Sequence, residues 1–380
     1  MRLVWFTEMW RPSLNGVVTR LVETLKEVRA HGHEVLVVCP RGEVDPAPLP
    51  GVQVIQAPSF RLGPIYGSQP WGFPTSLGLR RRLDAFGPDL VHVVNPVILG
   101  LGGVAYARSR RLPLVCSYHT HIVDYARFYH LGPLTWFIES TIRRAHRRAG
   151  LNLITAPTSA AVLRDWDISP VRLWRGAADV ARFGPGHADP AVRELLTGGH
   201  GDREILLYVG RLATEKGIER LYGLPGGHRH LALVGDGPFR QNLEERARGR
   251  QITFTGRLDG ELLSQAYASA DLLCFPSITD TLGLVILEAM ASGLPVLASR
   301  TVAAERLLGG RPAAALVEAE DSAAWSATAD RLLSETSDRA GIAASARLRI
   351  PTWADATNDL LAAYAEVLPG AADGLADRPA

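Results

Sequence analysis

Two carboxylate side chains flank a short apolar segment in FPSITDTLGLVILEAMASGLPV, residues 275–296. Asp280 precedes a helical pattern that Gly293 closes, with Pro295 just beyond it. Because successive helical residues rise about 1.5 Å, we expect Glu288 roughly 10 Å from the helix start, beyond amide groups at the positive end of the helix. Such a segment can hold three parts of one ligand: a sugar at Asp280, a diphosphate at the amides and a ribose at Glu288.

Two basic side chains form a second candidate site in YVGRLATEKGIERL, residues 208–221. Arg211 and Lys216 flank a short loop after an apolar run, and Gly217 frees the backbone beside them. Both cations can reach one polyanion from the carboxyl end of a strand, and a diphosphate suits them. Lysine occurs in this arginine-rich chain only here and at Lys26, which favours a functional role for Lys216 over a solvated surface cation.

A glycine at the start of the first helical pattern offers a third position for an anion. Asn15 and Gly16 open that helix, and a glycine there lets a ligand approach free backbone N–H groups. An ordinary turn glycine explains these residues equally well. The G-x-G-x-x-G spacing of dinucleotide-binding loops is absent here.

Three other stretches carry less specific signals. The Gly-Asp-Gly-Pro turn at 235–238 reads as a tight structural turn more than as a phosphate site. Gly256, Arg257 and Leu258 follow another apolar run, where backbone groups can meet the edge of a base. The acids of DWD, residues 165–167, match a metal-binding pattern but follow no buried strand, so we interpret them as surface residues.

An alternation of strands and helices must position all these residues. Apolar runs in the first half stand at 2–6, 34–39, 52–56, 90–94, 112–118 and 151–157, with amphipathic stretches such as 17–31 and 76–86 between them. The second half repeats the rhythm with runs at 204–210, 230–235, 252–256, 271–277 and 295–299. This pattern predicts an α/β protein with two doubly wound, mostly parallel sheets. Ligands are expected at the carboxyl ends of the strands.

Glycine and proline mark the expected domain boundary in RFGPGHADP, residues 182–190. We predict an N-terminal domain at 1–183, a C-terminal domain at 184–352 and a mobile tail at 369–380. The amphipathic stretch 353–368 reads as one helix that joins the first domain.

Length and composition bound the class of protein. A chain of 380 residues with 47% hydrophobic and 21% charged residues is typical of two globular domains. A net charge of only +2 gives no reason to expect a nucleic-acid partner. Cys39, Cys116 and Cys274 stand far apart among apolar residues, as buried thiols do in a reducing compartment. The N-terminal apolar run is too short for a signal peptide or a membrane span, so we expect a cytoplasmic protein.

Together the motifs resemble the retaining glycosyltransferases of the GT-B fold, in the family that contains sucrose synthases, sucrose-phosphate synthases and bacterial lipid mannosyltransferases. Asp280 and Glu288 match that family's paired acids, although the broader family has glutamate at the first position. His119 in CSYHTHI matches its active-site histidine. NGVV, VHVVNP, SYHT and TDTLGLVILEAMASGLPV are most similar to glycolipid-directed mannosyl- and sulfoquinovosyl-transferases.

The resemblance implies two Rossmann-like domains that face a central cleft, and a hexosyltransferase that uses a nucleotide diphosphate sugar with retention of configuration. GDP-mannose is the first expected donor and a UDP-sugar the second. Catalytic roles fall to His119 and Asp280. Donor-binding roles fall to Gly16, Arg211, Lys216, Arg257, Leu258, Thr281, Leu282, Gly283, Leu284 and Glu288. The cations and the helix amides meet the charge of the leaving diphosphate, so neither a metal nor a cofactor is expected.

Aromatic and basic residues suggest an acceptor side, for a glycolipid, a saccharide or a small metabolite. The loop at 61–76 offers aromatic platforms for a sugar ring or an apolar substituent. We expect acceptor contacts from Trp10, Tyr66, Trp71, Tyr118 and Tyr125. The stretch 131–148 sets aromatic residues beside an arginine cluster. It reads either as peripheral contact with the inner membrane face or as a helix with one apolar side in the core.

Other classes of protein explain fewer of these motifs. A nucleotide-sugar epimerase of the same architecture would use the acids for proton transfer and would exchange deuterium at C2 of the sugar without an acceptor. A pyridoxal-phosphate phosphorylase would need Lys216 as its cofactor lysine. A non-catalytic sugar-binding module would leave so complete a diphosphate site unexplained.

Overall fold

The computed structural model describes residues 1–11, 15–42, 49–61, 70–73, 76–119, 132–280, 283–311, 313–335 and 338–368. The chain divides into two compact units. Unit 1 is Met1–Gly176 with Trp353–Ala380, and unit 2 is Ala177–Thr352. The division therefore falls after Gly176, whereas the sequence predicted a boundary after residue 183. The predicted tail at 369–380 lies outside the described residues.

Unit 1 is built on a parallel sheet. Its strands are β1 (Arg2–Thr7), β2 (Glu34–Pro40), β3 (Val52–Ala57), the short antiparallel pair β4 (Ser59–Arg61) and β5 (Pro70–Gly72), β6 (Leu90–Val94), β7 (Leu114–Tyr118), β8 (Leu151–Ile154) and β9 (Val171–Leu173). Apart from the antiparallel pair, the described strands follow the order β9-β8-β7-β6-β1-β2-β3.

Side chains that alternate along β1 supply both faces of this sheet. Leu3 and Trp5 pack under α1 (Gly16–Ala30) and the C-terminal helix, Trp353–Ala365. Val4 and Phe6 pack on the opposite face, which is covered by α2 (Leu77–Phe86), α3 (Ile98–Arg110) and α4 (Pro133–His146). A further short helix, α5 (Ser159–Asp165), completes the described helices of the unit. The C-terminal helix thus belongs to the core of unit 1.

Unit 2 repeats the architecture. Its strands are β10 (Glu204–Val209), β11 (Arg229–Val234), β12 (Ile252–Gly256), β13 (Leu272–Phe275), β14 (Val296–Ser299) and β15 (Ala314–Val317). They are parallel and follow the order β12-β11-β10-β13-β14-β15. Its helices are α6 (Pro190–Thr197), α7 (Arg240–Ala247), α8 (Gly260–Ser269), α9 (Leu284–Ala291), α10 (Val302–Leu308), α11 (Ser322–Glu335) and α12 (Arg339–Arg347).

The strand order reverses direction once in each sheet, between β1 and β6 in unit 1 and between β10 and β13 in unit 2. Ligands of doubly wound sheets bind beyond the carboxyl ends of the strands at such a point. The predicted α/β class with two Rossmann-like domains is confirmed. The sequence did not predict β9, β15 or the pair β4 and β5, which lies partly in the stretch interpreted as a loop.

Candidate active site

The strand order of unit 2 brings a lysine and an acid together at the switch point. Lys216 ends a 3₁₀ turn after β10, and Asp280 follows the neighbouring strand β13. Lys216 Nζ donates to Asp280 Oδ2 at 2.6 Å, and the two side chains are only 14% and 29% exposed. Burial is the largest influence and would raise the pKa of Asp280, but the charge and hydrogen bond of Lys216, the hydrogen bond of Ser277 and the charge of Arg211 together outweigh it and hold the pKa below 3.8. The acid is therefore ionised and paired.

Arg211, the second predicted cation, is held by a buried acid. Its guanidinium donates to Glu215, whose side chain has no exposed surface. The backbone carbonyl of Glu215 accepts from Thr279 Oγ1 at 3.3 Å, which ties this turn to the loop after β13. Sequence reasoning missed Glu215, because nothing local to a Thr-Glu-Lys turn indicates that its acid is buried.

Glycines line the adjoining loops because the backbones pass too closely for side chains. A Cβ on Gly235 would lie 1.9 Å from the carbonyl oxygen of Gly210, and one on Gly237 would lie 2.3 Å from that of Leu212. Gly235 also has a φ of +139°. The loops after β10 and β11 thus pack backbone against backbone, which agrees with a tight structural turn at 235–238.

The apolar helix of the paired-acid motif is α9. Gly283 precedes it with a left-handed φ of 57°, and no side chain of the described residues caps its first turn. The amides of Gly283 and Leu284 therefore lie at the uncapped positive end of the helix. Thr281 and Leu282, predicted to bind the same anion, lie outside the described residues.

Glu288 extends from α9 toward α8. The hydroxyl of the buried Tyr267 donates to Glu288 Oε2 at 2.7 Å. Burial raises the pKa of Glu288 to about 7, although the Tyr267 hydrogen bond and the Arg182 charge both lower it. Glu288 therefore titrates near neutral pH. Sequence reasoning missed Tyr267, since an aromatic residue in a helical pattern is typical of a core position.

Arg257 and Leu258 lie farther along the same edge of the sheet. They follow β12, and β11 separates that strand from β10. Arg257 is exposed and pairs with Asp259 at 3.2 Å, while Leu258 is half-buried. Their contact with a nucleotide base stays a prediction.

His119 follows β7 in unit 1 and is buried. Its backbone N–H donates to Asn95 Oδ1 at 2.8 Å, and its ring meets Trp174 edge-on at 5.3 Å. Burial, followed by the charge of Arg20, lowers the pKa of His119 well below 6.5, so the ring is neutral at pH 7. Asn95 adopts a φ of +47° at the end of β6. It positions His119, although the sequence marked it only as part of the VHVVNP motif.

The sequence predicted free backbone N–H groups at the start of α1, but the structure shows two of them in hydrogen bonds. Asn15 Oδ1 accepts from the backbone N–H groups of Val17 and Val18, each at 3.0 Å. An N-cap side chain therefore occupies two donors that the sequence assigned to a ligand. Gly16 is exposed at the first helical position and stays a candidate for close ligand approach.

Glu8 is a second buried acid that sequence reasoning missed. It follows β1 and accepts from the backbone N–H of Leu99 and, at 3.2 Å, from that of Gly100 at the start of α3. Burial raises the pKa of Glu8 to about 7 against these hydrogen bonds. A carboxylate at the switch point of unit 1 thus caps a helix.

The predicted acceptor residues have different surroundings. Trp10 is half-buried against the core of unit 1, and Trp71 is half-buried in β5. Tyr118 is 2% exposed and packs edge-on against Trp166 at 6.0 Å, which is the packing of a core residue and not of an exposed acceptor platform. Tyr66 and Tyr125 lie outside the described residues.

Two family profiles match the sequence. The profile described as Glycosyltransferase Family 4 matches residues 14–182, and the profile described as Glycosyl transferases group 1 matches residues 203–335. A GDP-mannose-dependent alpha-mannosyltransferase from Corynebacterium glutamicum is 31% identical over 97% of this chain and 89% of its own length. A sulfoquinovosyl transferase from Arabidopsis thaliana is 36% identical over 76% of this chain, but the match spans only 57% of the plant protein.

A solved structure shows the same fold. Sucrose-phosphate synthase from Thermosynechococcus elongatus matches with a TM-score of 0.69 and 20% identity, over 99% of this chain and 96% of that one. The predicted GT-B architecture is confirmed. The chain therefore belongs to the GT-B glycosyltransferases described by these two profiles, and it is a hexosyltransferase that takes its sugar from a nucleotide sugar.

Proposed function

We propose that this enzyme transfers mannose from GDP-mannose, with retention of configuration, to a glycolipid, a saccharide or a small metabolite. The observation that carries the proposal is the Lys216–Asp280 ion pair at the switch point of unit 2. A sugar diphosphate matches both members, because its diphosphate suits the ammonium and its hexose hydroxyls suit the carboxylate. The mannosyltransferase relative, whose name specifies GDP-mannose and an alpha product, supports the donor and retention.

The proposed chemistry needs positive charge where the diphosphate leaves. Lys216, Arg211 and the first-turn amides of α9 supply it, and each group is already oriented by the fold. Preorganised donors of this kind stabilise a developing anion without reorganising in the transition state. Diphosphate oxygens would replace Asp280 as the partner of Lys216, while Arg211 would keep its bond to the buried Glu215 and offer its other N–H groups to the diphosphate. Asp280 would then be released to hydrogen-bond the hexose, and no metal is needed in this scheme.

A comparison of donors tests the proposal. The protein is incubated with GDP-mannose, UDP-glucose and UDP-galactose in the presence of glycolipid or saccharide acceptors, and release of the nucleoside diphosphate is followed. We expect the fastest release from GDP-mannose, and an alpha-mannosyl product in the NMR spectrum. Turnover of UDP-sugars alone would contradict the donor, and a beta-linked product would contradict retention.

Donor affinity should depend on the protonation of Glu288. Its pKa of about 7 means that the carboxylate is charged above that pH and accepts ribose hydroxyls best there. We expect the affinity for GDP, measured by titration calorimetry, to rise between about pH 6 and pH 8. Glu288→Gln should weaken binding roughly 10- to 100-fold at the upper pH, because hydrogen bonds to charged groups contribute about 1.5–3 kcal/mol.

Tyr267→Phe tests whether the pH dependence of donor affinity comes from Glu288. The Tyr267 hydrogen bond lowers the pKa of Glu288, so its removal should move the affinity midpoint to higher pH. Tyr222→Phe is the matched control in unit 2, since the Tyr222 hydroxyl donates to the Leu243 carbonyl at 2.8 Å. A midpoint that stays in place in Tyr267→Phe would contradict the assignment to Glu288.

We also propose that α4 contacts an anionic membrane surface. Ile142 lies in the core, but Trp136 and Phe137 are 73% and 61% exposed, and Arg143 and Arg144 occupy the last turn. Exposed aromatic residues beside arginines suit the interface of an anionic bilayer. Among the described helices, none has the length and apolar character to span a membrane.

Vesicle sedimentation tests this contact. We expect binding to phosphatidylglycerol vesicles and little to phosphatidylcholine vesicles, and at least a roughly tenfold loss in Trp136→Ser/Phe137→Ser, from the apolar area no longer buried. Leu348→Ser removes an 88% exposed apolar side chain elsewhere and serves as the control. Equal binding by all three proteins would refute the proposal.

A further inference from the structure

A line of four buried polar side chains leads from the C-terminal helix to His119. The Tyr364 hydroxyl lies 2.6 Å from His92 Nδ1, and His92 Nε2 lies 2.8 Å from Ser117 Oγ. Ser117 Oγ lies in turn 2.8 Å from His119 Nε2. His119 is 1% exposed and the other three residues have no exposed surface. All four belong to unit 1. Hydrogen bonds therefore connect a residue of the C-terminal helix to the candidate active-site histidine.

Burial keeps every member of this line neutral. It lowers the pKa of His92 to about 3 and that of His119 well below 6.5. It also raises the pKa of Tyr364 well above 10.0. At pH 7 each imidazole therefore carries one proton, with one donor nitrogen and one acceptor nitrogen.

The Tyr364 hydroxyl sets the direction of the hydrogen bonds. Within the described part of the chain, His92 Nδ1 is the one acceptor that its proton reaches. A buried hydroxyl proton without an acceptor is destabilising, so Tyr364 donates to that nitrogen. His92 then carries its proton on Nε2 and donates to Ser117 Oγ. The Ser117 hydroxyl donates in turn to its other partner, His119 Nε2.

We propose that Tyr364, His92 and Ser117 are positioning residues that hold His119 as the Nδ1–H tautomer. The Nε2 lone pair of His119 is occupied by the Ser117 hydroxyl, so that atom does not take a proton from a substrate. The ring instead acts as a hydrogen-bond donor through Nδ1–H. In the proposed transfer its acceptor is a hydroxyl oxygen of the hexose. That last role rests on the proposed function, whereas the tautomer does not.

NMR spectroscopy of the full-length protein labelled with nitrogen-15 histidine tests the proposal. Long-range correlations between ring nitrogens and ring protons distinguish the tautomers, and His119→Asn identifies the signals of His119. We expect His119 to be protonated on Nδ1 and bare on Nε2 between about pH 6 and pH 8. Ser117→Ala removes the donor to Nε2 and should convert His119 to the other tautomer or to a mixture.

Two tyrosine variants test the far end of the line. Tyr364→Phe removes the first donor, so His92 and with it His119 should exchange between tautomers. Tyr106→Phe is the matched control, because this 1% exposed tyrosine of unit 1 lies on α3 and donates to Asp84 at 3.1 Å. It should leave the His119 signals unchanged.

A wild-type His119 that is protonated on Nε2, or charged at pH 7, would overturn the proposal. An Nδ1–H signal that persists in both Ser117→Ala and Tyr364→Phe would overturn it as well. The spectra are recorded without substrate, so the test of the His119 tautomer does not depend on whether GDP-mannose is the donor.

Discussion

Lys216→Ala should lower kcat/KM for hexose transfer by about 100- to 1000-fold, because it removes a preorganised cation from the leaving diphosphate. Lys216 is only 14% exposed and forms a direct ion pair with Asp280. Lys26→Ala is the matched control, since it removes the same charge from the chain's other lysine. That residue is 54% exposed on α1 and pairs with Glu23 at 2.7 Å. Its replacement should leave transfer unchanged.

A second variant separates lost catalysis from lost stability. Lys216→Ala leaves the Asp280 carboxylate partly buried without its cation, which by itself destabilises the fold. Adding Asp280→Asn removes that charge. Lys216→Ala/Asp280→Asn should therefore regain stability in urea denaturation while staying inactive. Full transfer by Lys216→Ala, or recovered transfer in the double variant, would rule out the proposed role of Lys216.

Gly235→Ala should lower the free energy of unfolding by roughly 3 kcal/mol or more, because an overlap with backbone atoms and a strained φ act together. Its Cβ would lie 1.9 Å from the backbone oxygen of Gly210, and no side-chain rotation can relieve that contact. The loop displaced is the one that carries Arg211 and Lys216, so donor binding should weaken as well.

Gly226→Ala isolates the overlap from the backbone strain. Gly226 has a φ of +152°, close to that of Gly235, but a Cβ there would meet no atom within 4 Å. Urea denaturation of both variants should therefore show a clearly larger loss for Gly235→Ala. Equal losses would mean that backbone conformation, and not the close approach of two loops, requires glycine at 235.

Local rules were enough for much of the fold. Period-two and period-3.6 patterns are properties of neighbouring residues, so the apolar runs predicted most strands of both sheets. Gly293 and Pro295 indicated the end of α9, because glycine and proline end helices through their own backbone properties. The structure ends the helix at Ala291. The sequence did not predict the short strands β9 and β15 or the pair β4 and β5, because runs of three or four residues carry little periodicity.

The resemblance of the motifs identified the family, since several motifs matched together along most of the chain. Residue types and spacing had already indicated Lys216 and Asp280, as members of two separate sites. Their direct contact depends on β10 and β13 being neighbours, although the two residues stand 64 positions apart. No pattern local to either residue carries that information.

The sequence by itself determined the strand-helix rhythm, the family and the residue types of the candidate donor site. Only the tertiary structure decided which of these groups meet and in what state of charge. Burial raises the pKa values of Glu8 and Glu288 to about 7. Packing of the C-terminal helix brings Tyr364 into hydrogen-bond contact with His92, 272 positions away in the sequence. Burial and pairing follow from strand order and packing, which depend on contacts between residues far apart in the chain.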